Sequence, residues 1–209
     1  NGGDVAAFVL AAIGGVVGGM VGLISILLLT FYLLVEADDL FSLFVRIFPR
    51  DTRPRVALIS EMAATKISAW LGGQALLGLI IGIASAIGFA VMGVPYFFVL
   101  AAISAIGEMI PMVGPVLSAI PAIAAGFTVS PSLAVGVGLY CLTLQQLENH
   151  VLVPKVMGQT VGLSAVTVIA SLAIGSELLG VAGALLAVPT AAIIQVLVEE
   201  LYLSEKDPA

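Results

Sequence analysis

Residues 105–126 read AIGEMIPMVGPVLSAIPAIAAG, and this stretch decides the fold class. It lies in an apolar segment, 97–127, that is long enough to cross a bilayer. Four residues that break helices interrupt it: Pro111, Gly114, Pro115 and Pro121. Proline removes a backbone donor and clashes with the preceding turn, and a helix in lipid cannot leave backbone groups unpaired. We therefore predict two half-helices around an unwound Pro-Met-Val-Gly-Pro, packed inside protein or lining a wet cavity.

The composition of the whole chain is that of an integral membrane protein. Of 209 residues, 61% are hydrophobic and only 10% are charged, whereas soluble domains are about 25% charged. Continuous runs rich in Leu, Ala, Ile and Gly indicate helical spans rather than the alternating strands of a membrane β-barrel. The sequence predicts an all-α polytopic membrane protein with transmembrane helices, two broken segments that can be re-entrant, and cytoplasmic amphipathic helices.

The inventory of reactive side chains excludes several function classes. A single cysteine, Cys141, and a single histidine, His150, argue against a disulfide and against a metal site built from these residues. A net charge of −6 provides no basic surface for nucleic acid. Neither a Walker sequence nor a GxSxG motif occurs. We expect no enzymatic activity, no cofactor and no bound metal.

The N-terminal region combines a long span with a basic interlude. The span covers about residues 5–35, and its GxxxG pair, Gly15 and Gly19, suits either close helix packing or a kink. Residues 36–66 contain Arg46, Arg50, Arg53 and Arg55, four of the seven basic residues, which predicts that they lie on the cytoplasmic side. We expect an interfacial helix there and then an amphipathic helix over 56–68, acting either as a coupling element or as a lid on the membrane surface.

The remainder of the chain is predicted to be the transport core. We divide the chain into an N-terminal region, 1–66, and a core, 67–209, whose first span covers about 67–92 and carries Trp70 as an interfacial anchor. Besides the broken segment at 97–127, a second one covers 163–195. The predicted sub-elements there are a short apolar segment (163–175), an interruption (176–180) and a last helix (181–203).

The two broken segments resemble each other. Residues 102–125 align with 170–193 at an offset of 68, and both copies place a glutamate just after Ile-Gly: Glu108 and Glu177. Low-complexity apolar sequence also produces such matches by chance. Paired segments interrupted by Gly and Pro are typical of a transporter site, so we expect the substrate pathway between them.

Glu108 is the leading candidate for a coupling residue. A carboxyl group at membrane depth is costly and usually faces a cavity or a partner, which favours a site that binds a proton or a cation, or a gate. The alternative is a carboxylate that ends a broken helix near the interface. Glu177 is a further candidate, although a role in the turn between two short segments suits it as well.

A polar cluster ends the span at about residues 132–153. Gln145, Gln146 and Glu148 precede Pro154 there. They either bind a polar solute and supply a second titratable group, or form an ordinary polar cap at the water boundary. The residues predicted to act as hinges of the broken helices are Pro111, Gly114, Pro115, Pro121, Gly180, Gly183 and Pro189.

Taken together, these blocks resemble the autoinducer-2 exporter family of membrane permeases. The matching blocks are Gly107–Pro115, the Gln145/Gln146 pair with Glu148 before Pro154, Gly158, and Gly180–Pro189. The resemblance implies an all-helical fold, and its members are longer, with additional N-terminal spans. It also implies a homo-oligomer, for which a pentamer is described in the family, in the inner membrane of the cell.

The resemblance favours a secondary transporter that exports a small polar solute of the autoinducer-2 type, used in quorum sensing, by alternating access. The first alternative is a sodium or lithium/proton antiporter of the same family, whose partners would be monovalent cations and protons. The second is of another class, a non-transporting membrane scaffold or a channel. In each case the bilayer is a partner.

Overall fold

A computed structural model describes the backbone of residues 2–157 and 162–200, and the side chains in these ranges except those of residues 2–13, 16 and 165. Every regular element in these ranges is helical, in the order α1 (Gly2–Val35), α2 (Ala37–Arg46), α3 (Arg53–Val91), α4 (Phe97–Gly107), α5 (Val113–Phe127), α6 (Pro131–Leu147), a π-helical turn (Glu148–Leu152), α7 (Val153–Val156) and α8 (Ala165–Val198). Three stretches are long and apolar enough to cross a membrane: Val17–Val35, Arg53–Val91 and Val166–Val198. The predicted all-α polytopic membrane fold is confirmed.

The chain forms two compact units, residues 1–58 and 59–209. In the first unit the apolar side chains of α1 from residue 17 onward are exposed, as expected of a surface that meets lipid. A Cβ added at Gly15 or Gly19 would meet nothing within 4 Å, so the GxxxG pair makes no close contact with the described residues. The Arg53 guanidinium donates to the carbonyl of Phe48 from Nε at 3.0 Å, which stabilises the turn after α2.

Helix α3 differs from the two elements predicted for this region. The amphipathic helix expected over 56–68 and the span expected over 67–92 form one continuous helix, Arg53–Val91. No proline or glycine lies at the predicted junction, so no residue there interrupts the backbone hydrogen bonds. At 1.5 Å per residue, α3 is about 58 Å long, well beyond the hydrocarbon core of a bilayer.

Helices α4 and α5 form a tight hairpin. Their backbones touch at Gly107 and Gly114, because a Cβ added at Gly114 would overlap the Gly107 carbonyl. The break lies earlier than predicted: residues 108–112 form the turn, and α5 already begins at Val113. Pro115 therefore sits in the first turn of a helix, where its missing N–H costs little.

Helix α8 is also a hairpin. Gly180 has φ 60° and ψ −135°, a conformation outside any helix that glycine alone adopts without strain. A Cβ added at Gly183 would overlap the Gly175 carbonyl, and Gln195 Nε2 donates to the carbonyl of Gly162 at 3.4 Å. Residues 165–179 and 181–198 thus run antiparallel, so the interruption predicted over 176–180 is reduced to a single residue.

The two hairpins share one packing arrangement. In each, two glycines meet backbone to backbone, and a small residue of the returning helix packs against the first glycine. A Cβ at Gly107 would lie 3.4 Å from Cβ of Ser118, and one at Gly175 would lie 3.2 Å from Cβ of Ala187. The first arms correspond at the offset of 68, Gly107 to Gly175, whereas the second arms correspond at 69, Gly114 to Gly183. The second turn therefore has one additional residue, and the ungapped alignment predicted from the sequence does not hold beyond it.

Small residues also bring α3 and α6 against the first hairpin. A Cβ at Gly78 would lie 2.8 Å from the Ala105 carbonyl oxygen, so α3 approaches α4 closely. The Tyr140 hydroxyl of α6 donates to the carbonyl of Ala84 at 2.7 Å. A core that includes Phe89 and Val137 lies between these helices. Two further helices, α3 and α6, therefore pack against the first hairpin.

Candidate functional site

The buried polar side chains of the described residues gather around the first hairpin. Five of them line one cavity of about 30 Å³, which we call the carboxyl pocket: Ser85, Ser104, Glu108, Ser118 and Glu148. Its remaining walls are Ile81, Pro115, Cys141, Leu144 and Gln145. A sixth buried polar residue, Gln74, donates from Nε2 to the backbone carbonyl of Glu108. Since polar groups are costly to bury, their convergence in an apolar protein marks a site.

Glu108 is the most deeply buried charged residue of the pocket. It follows the last residue of α4, and its side chain is 1% exposed. Its carboxyl oxygens have no donor among the described residues except the Glu148 carboxyl group, when one of the two is protonated. A carboxyl group buried in this way is stabilised by a proton or by a bound cation. Glu108 is thus buried beside the first hairpin, and its coupling role stays a prediction.

Glu148 supplies the second carboxyl group. It follows α6 and begins the π-helical turn Glu148–Leu152, an irregularity that often occurs at functional sites. Its side chain is 7% exposed and acts electrostatically on Glu108. Two adjacent carboxyl groups resist simultaneous ionisation, so this pair retains a proton or attracts a cation. The sequence predicted an α-helical end here and gave no sign of the π turn.

A wider cavity adjoins the carboxyl pocket. Its volume is about 280 Å³, and its polar lining consists of Trp70, Gln74, Glu148 and Asn149 among apolar residues that include Met157. Glu148 lines both cavities. The wide cavity is close to the size of sites that hold small organic molecules. Trp70, expected as an interfacial anchor, is instead 6% exposed and forms part of this wall.

The other predicted site residues are distributed unevenly. Gln145 is half-buried and lines the carboxyl pocket. Gln146 is exposed, and its backbone carbonyl lies 2.9 Å from Nδ1 of His150. Glu177 is exposed beside the turn of the second hairpin and does not line the carboxyl pocket. Gly158, part of the family resemblance, lies outside the described residues.

The predicted hinge residues lie in and around the two hairpins. Pro111 occupies the turn between α4 and α5 and lines the wide cavity. Pro121 and Pro189 lie inside helices α5 and α8. Gly114 and Gly183 make the closest backbone contacts, and the chain reverses at Gly180. Pro115 lines the carboxyl pocket. The hinge candidates thus lie within the hairpins, and Pro111 and Pro115 also line the wide cavity and the carboxyl pocket, respectively.

Sequence reasoning missed three serines and one glutamine. Ser85, Ser104 and Ser118 come from α3, α4 and α5, and each is a lone hydroxyl in an apolar run. Gln74 is likewise an isolated amide within the span at 67–92. An isolated polar group within a span was the available signal. Because serine also bonds to its own helix in membranes, that signal alone does not identify a site.

Comparisons with known proteins place this architecture in a family. The sequence model of the AI-2E transporter family matches residues 1–203. The chain is 33% identical over 187 residues to the putative transport protein YueF of Bacillus subtilis, covering 89% of this chain and 51% of YueF. It is 30% identical over 169 residues to the putative transport protein YrrI of the same organism, covering 81% and 48% of the two chains.

A relative with a more specific name is the AI-2 transport protein TqsA of Escherichia coli. It is 28% identical over 184 residues, covering 87% of this chain and 52% of TqsA. The chain spans about half the length of the curated relatives it matches. The family resemblance found in the sequence is confirmed: this chain belongs to the AI-2E family of membrane transporters.

Proposed function

We propose that this chain forms the core of a secondary transporter that exports a small polar solute of the autoinducer-2 type, with movement of the solute coupled to an ion at Glu108 and Glu148. The observation that carries the proposal is the position of Glu148, which lines both the carboxyl pocket and the wide cavity. The Glu148 carboxyl group can therefore contact an ion in the carboxyl pocket and a solute in the wide cavity.

The two cavities suit different ligands. The carboxyl pocket, at about 30 Å³, has room for a water molecule or a bare ion but not for an organic solute. The wide cavity, at about 280 Å³, offers an indole ring, amides and a carboxyl group to a small polar molecule. Division of the site into an ion compartment and a solute compartment supports coupled transport.

Alternating access in this scheme uses the two hairpins as re-entrant elements of the inner membrane, with residues 36–66 on the cytoplasmic side. The chain works as a homo-oligomer within the bilayer, in keeping with the family resemblance. The broken segments, 97–127 and 163–195, move relative to the long helices, which act as a scaffold. Tight glycine contacts keep each hairpin rigid during such a movement, because backbones in contact leave no room for side chains to rearrange.

A second candidate function is sodium or lithium/proton antiport. It is favoured by the carboxyl pocket alone, since that pocket concentrates the buried carboxyl groups and excludes larger molecules. In this case the wide cavity serves as the aqueous access path. A channel or a non-transporting scaffold is the remaining alternative, and transport assays separate all three.

The test uses full-length protein in liposomes that contain a pH-sensitive dye. Autoinducer-2 is loaded inside, and its efflux is followed together with the internal pH. We expect saturable efflux with a pH change, and we expect Glu148→Gln to keep downhill efflux while losing the pH change. Glu61→Gln, which alters an exposed carboxyl group of α3, is the matched control and should behave like the wild type.

Other outcomes decide among the alternatives. A pH change driven by a sodium gradient, without autoinducer-2 efflux, replaces the proposal with antiport. Efflux that neither saturates nor changes the pH indicates a channel. Absence of any flux, from vesicles that contain folded protein, leaves a scaffold as the remaining interpretation.

A further inference from the structure

Helix α2 begins where the first apolar span ends. The span Val17–Val35 is followed by Glu36, whose backbone (φ −96°, ψ 8°) departs from helical values, and α2 covers Ala37–Arg46. The Glu36 N–H donates to the Tyr32 carbonyl at 2.9 Å, so no loop separates the two helices. A span of 19 residues fits the hydrocarbon core of a bilayer. The end of this span brings α2 to the level of the lipid headgroups.

The side chains of α2 and its cap are divided between two faces. The apolar face consists of Leu40, Phe41, Phe44 and Ile47, and the polar face consists of Asp38, Asp39, Ser42 and Arg46. All four apolar side chains are exposed, and no residue of α2 is buried. Large apolar side chains grouped on an uncovered face mark a contact surface. A short amphipathic helix with such a face is typical of the membrane interface.

A cluster of arginines follows this helix. Residues 46–55, which we call the arginine turn, contain four arginines and one aspartate, Asp51, so the segment carries a charge of +3 whereas the whole chain carries −6. Arg46 and Arg50 are exposed, and neither forms a salt bridge with a carboxylate of the residues that the structure describes. The positive charge of the chain is therefore concentrated beside the apolar face of α2.

Hydrogen bonds hold the backbone of the arginine turn. The Arg53 guanidinium donates to two carbonyls at the end of α2, from Nε to Phe48 and from Nη2 to Arg46, at 3.0 Å each. The Thr52 hydroxyl donates to the Pro49 carbonyl at 3.0 Å. Carbonyls at the end of a helix lack partners within it, so Arg53 has a structural role here. The exposed arginines of the turn are thus carried on an ordered backbone.

We propose that α2 lies in the membrane surface with its apolar face toward the acyl chains, and that Arg46 and Arg50 bind the phosphate group of an anionic phospholipid. A guanidinium group donates two parallel hydrogen bonds to phosphate oxygens, and a net negative headgroup attracts basic residues at the membrane surface. The apolar face favours a lipid over a soluble phosphate, because a lipid brings its phosphate next to an apolar surface. This lipid site does not depend on which solute the protein transports.

Spin labels test the position of α2. The full-length protein carrying Cys141→Ser is labelled at Phe44→Cys on the apolar face or, as the matched control, at Ser42→Cys on the polar face, and is reconstituted in liposomes. We expect the label at position 44 to collide more with oxygen, which concentrates in hydrocarbon, and the label at position 42 to collide more with a water-soluble nickel chelate. Equal exposure of both labels to the nickel chelate would overturn the interfacial position.

Native mass spectrometry tests the lipid partner. The full-length protein in detergent is titrated with phosphatidylglycerol or with phosphatidylcholine of the same acyl chains. We expect tighter binding of phosphatidylglycerol, and we expect Arg46→Gln and Arg50→Gln each to weaken it about fivefold without changing phosphatidylcholine binding. The matched control is Lys155→Gln, which removes an exposed positive charge of α7 outside the arginine turn. Its phosphatidylglycerol affinity should stay within about twofold of the wild type.

Three results contradict the lipid site, each obtained with variants verified as folded by circular dichroism. Equal affinity of the wild type for the two lipids removes the preference for an anionic headgroup. An equal loss in Lys155→Gln shows a general effect of charge rather than a site in the arginine turn. Displacement of phosphatidylglycerol by the same concentration of glycerol phosphate replaces the lipid site with a site for a soluble anion.

Discussion

The two hairpins use the same backbone contact for different purposes. In both, paired glycines bring the arms together, at Gly107 with Gly114 and at Gly175 with Gly183. The first hairpin buries a carboxyl group beside its turn, whereas Glu177 of the second is exposed. The glycine framework thus determines the shape of each hairpin, and its chemistry depends on which side chains the neighbouring helices enclose.

The two hairpins also differ in the residue that packs against the first glycine of each pair. Ser118 packs beside Gly107 and lines the carboxyl pocket, while Ala187 packs beside Gly175 in a purely apolar cluster with Leu172. One hydroxyl thus distinguishes otherwise equivalent positions. The first hairpin is equipped for a ligand, and the second is equipped for packing.

The largest expected effect tests the shared framework. Gly114→Ala and Gly183→Ala should each destabilise the protein by about 3 kcal/mol, because the new Cβ overlaps a carbonyl of the opposite arm. The midpoint of unfolding in detergent measures this loss. Gly136→Ala is the control, since a Cβ there meets nothing within 4 Å, and it should not destabilise the protein. A loss confined to one hairpin would show that the two contacts are not equivalent.

The second prediction concerns the chemistry that the hairpins do not share. Glu108→Gln should lower the coupled transport rate about 30-fold, or about 2 kcal/mol, because it removes the buried ionisable group. It should also flatten the dependence of transport on pH. Glu177→Gln should change the rate less than about twofold, as expected of an exposed residue. Equal losses in the liposome assay would mean that both glutamates take part.

The third and smallest pair of effects concerns the turns. The first turn contains Met112 at φ 65°, whereas the second reverses at Gly180. Gly180→Ala should destabilise the protein by about 2 kcal/mol, since an L side chain is strained there, and Met112→Gly should stabilise it by about 1 kcal/mol. Thermal unfolding of the two variants measures both shifts. A destabilising Met112→Gly would show that the Met112 side chain contributes more than its backbone strain costs.

The sequence predicted the helical class and the location of the breaks because Pro and Gly act locally. Pro111 and Gly180 stop a helix by their own backbone chemistry, and Glu108 stands out as a carboxyl group in an apolar run. The single helix α3 was not predicted, because the change from an amphipathic to an apolar pattern near residue 67 suggested a boundary, although no residue there breaks a helix. Local rules thus identified where the chain bends.

The composition of the site could not be predicted in the same way. Helices that are apolar on every side give no periodic signal for the side that faces a neighbour. In the sequence, Ser85, Ser104 and Gln74 are therefore isolated polar residues, and only the packing of α3 against α4 places them around Glu108. Burial of Trp70 and the π turn at Glu148 likewise depend on tertiary packing. Such features follow from contacts between helices far apart in the chain.

Cys141 in the wall of the carboxyl pocket is the only thiol of the chain. A chain with one thiol can be alkylated at one place without removal of any other cysteine. The rate at which water-soluble maleimides reach Cys141 from either side of the membrane therefore reports the solvent path to the pocket. The native sequence already contains the label needed to tell an inward-open conformation from an outward-open one.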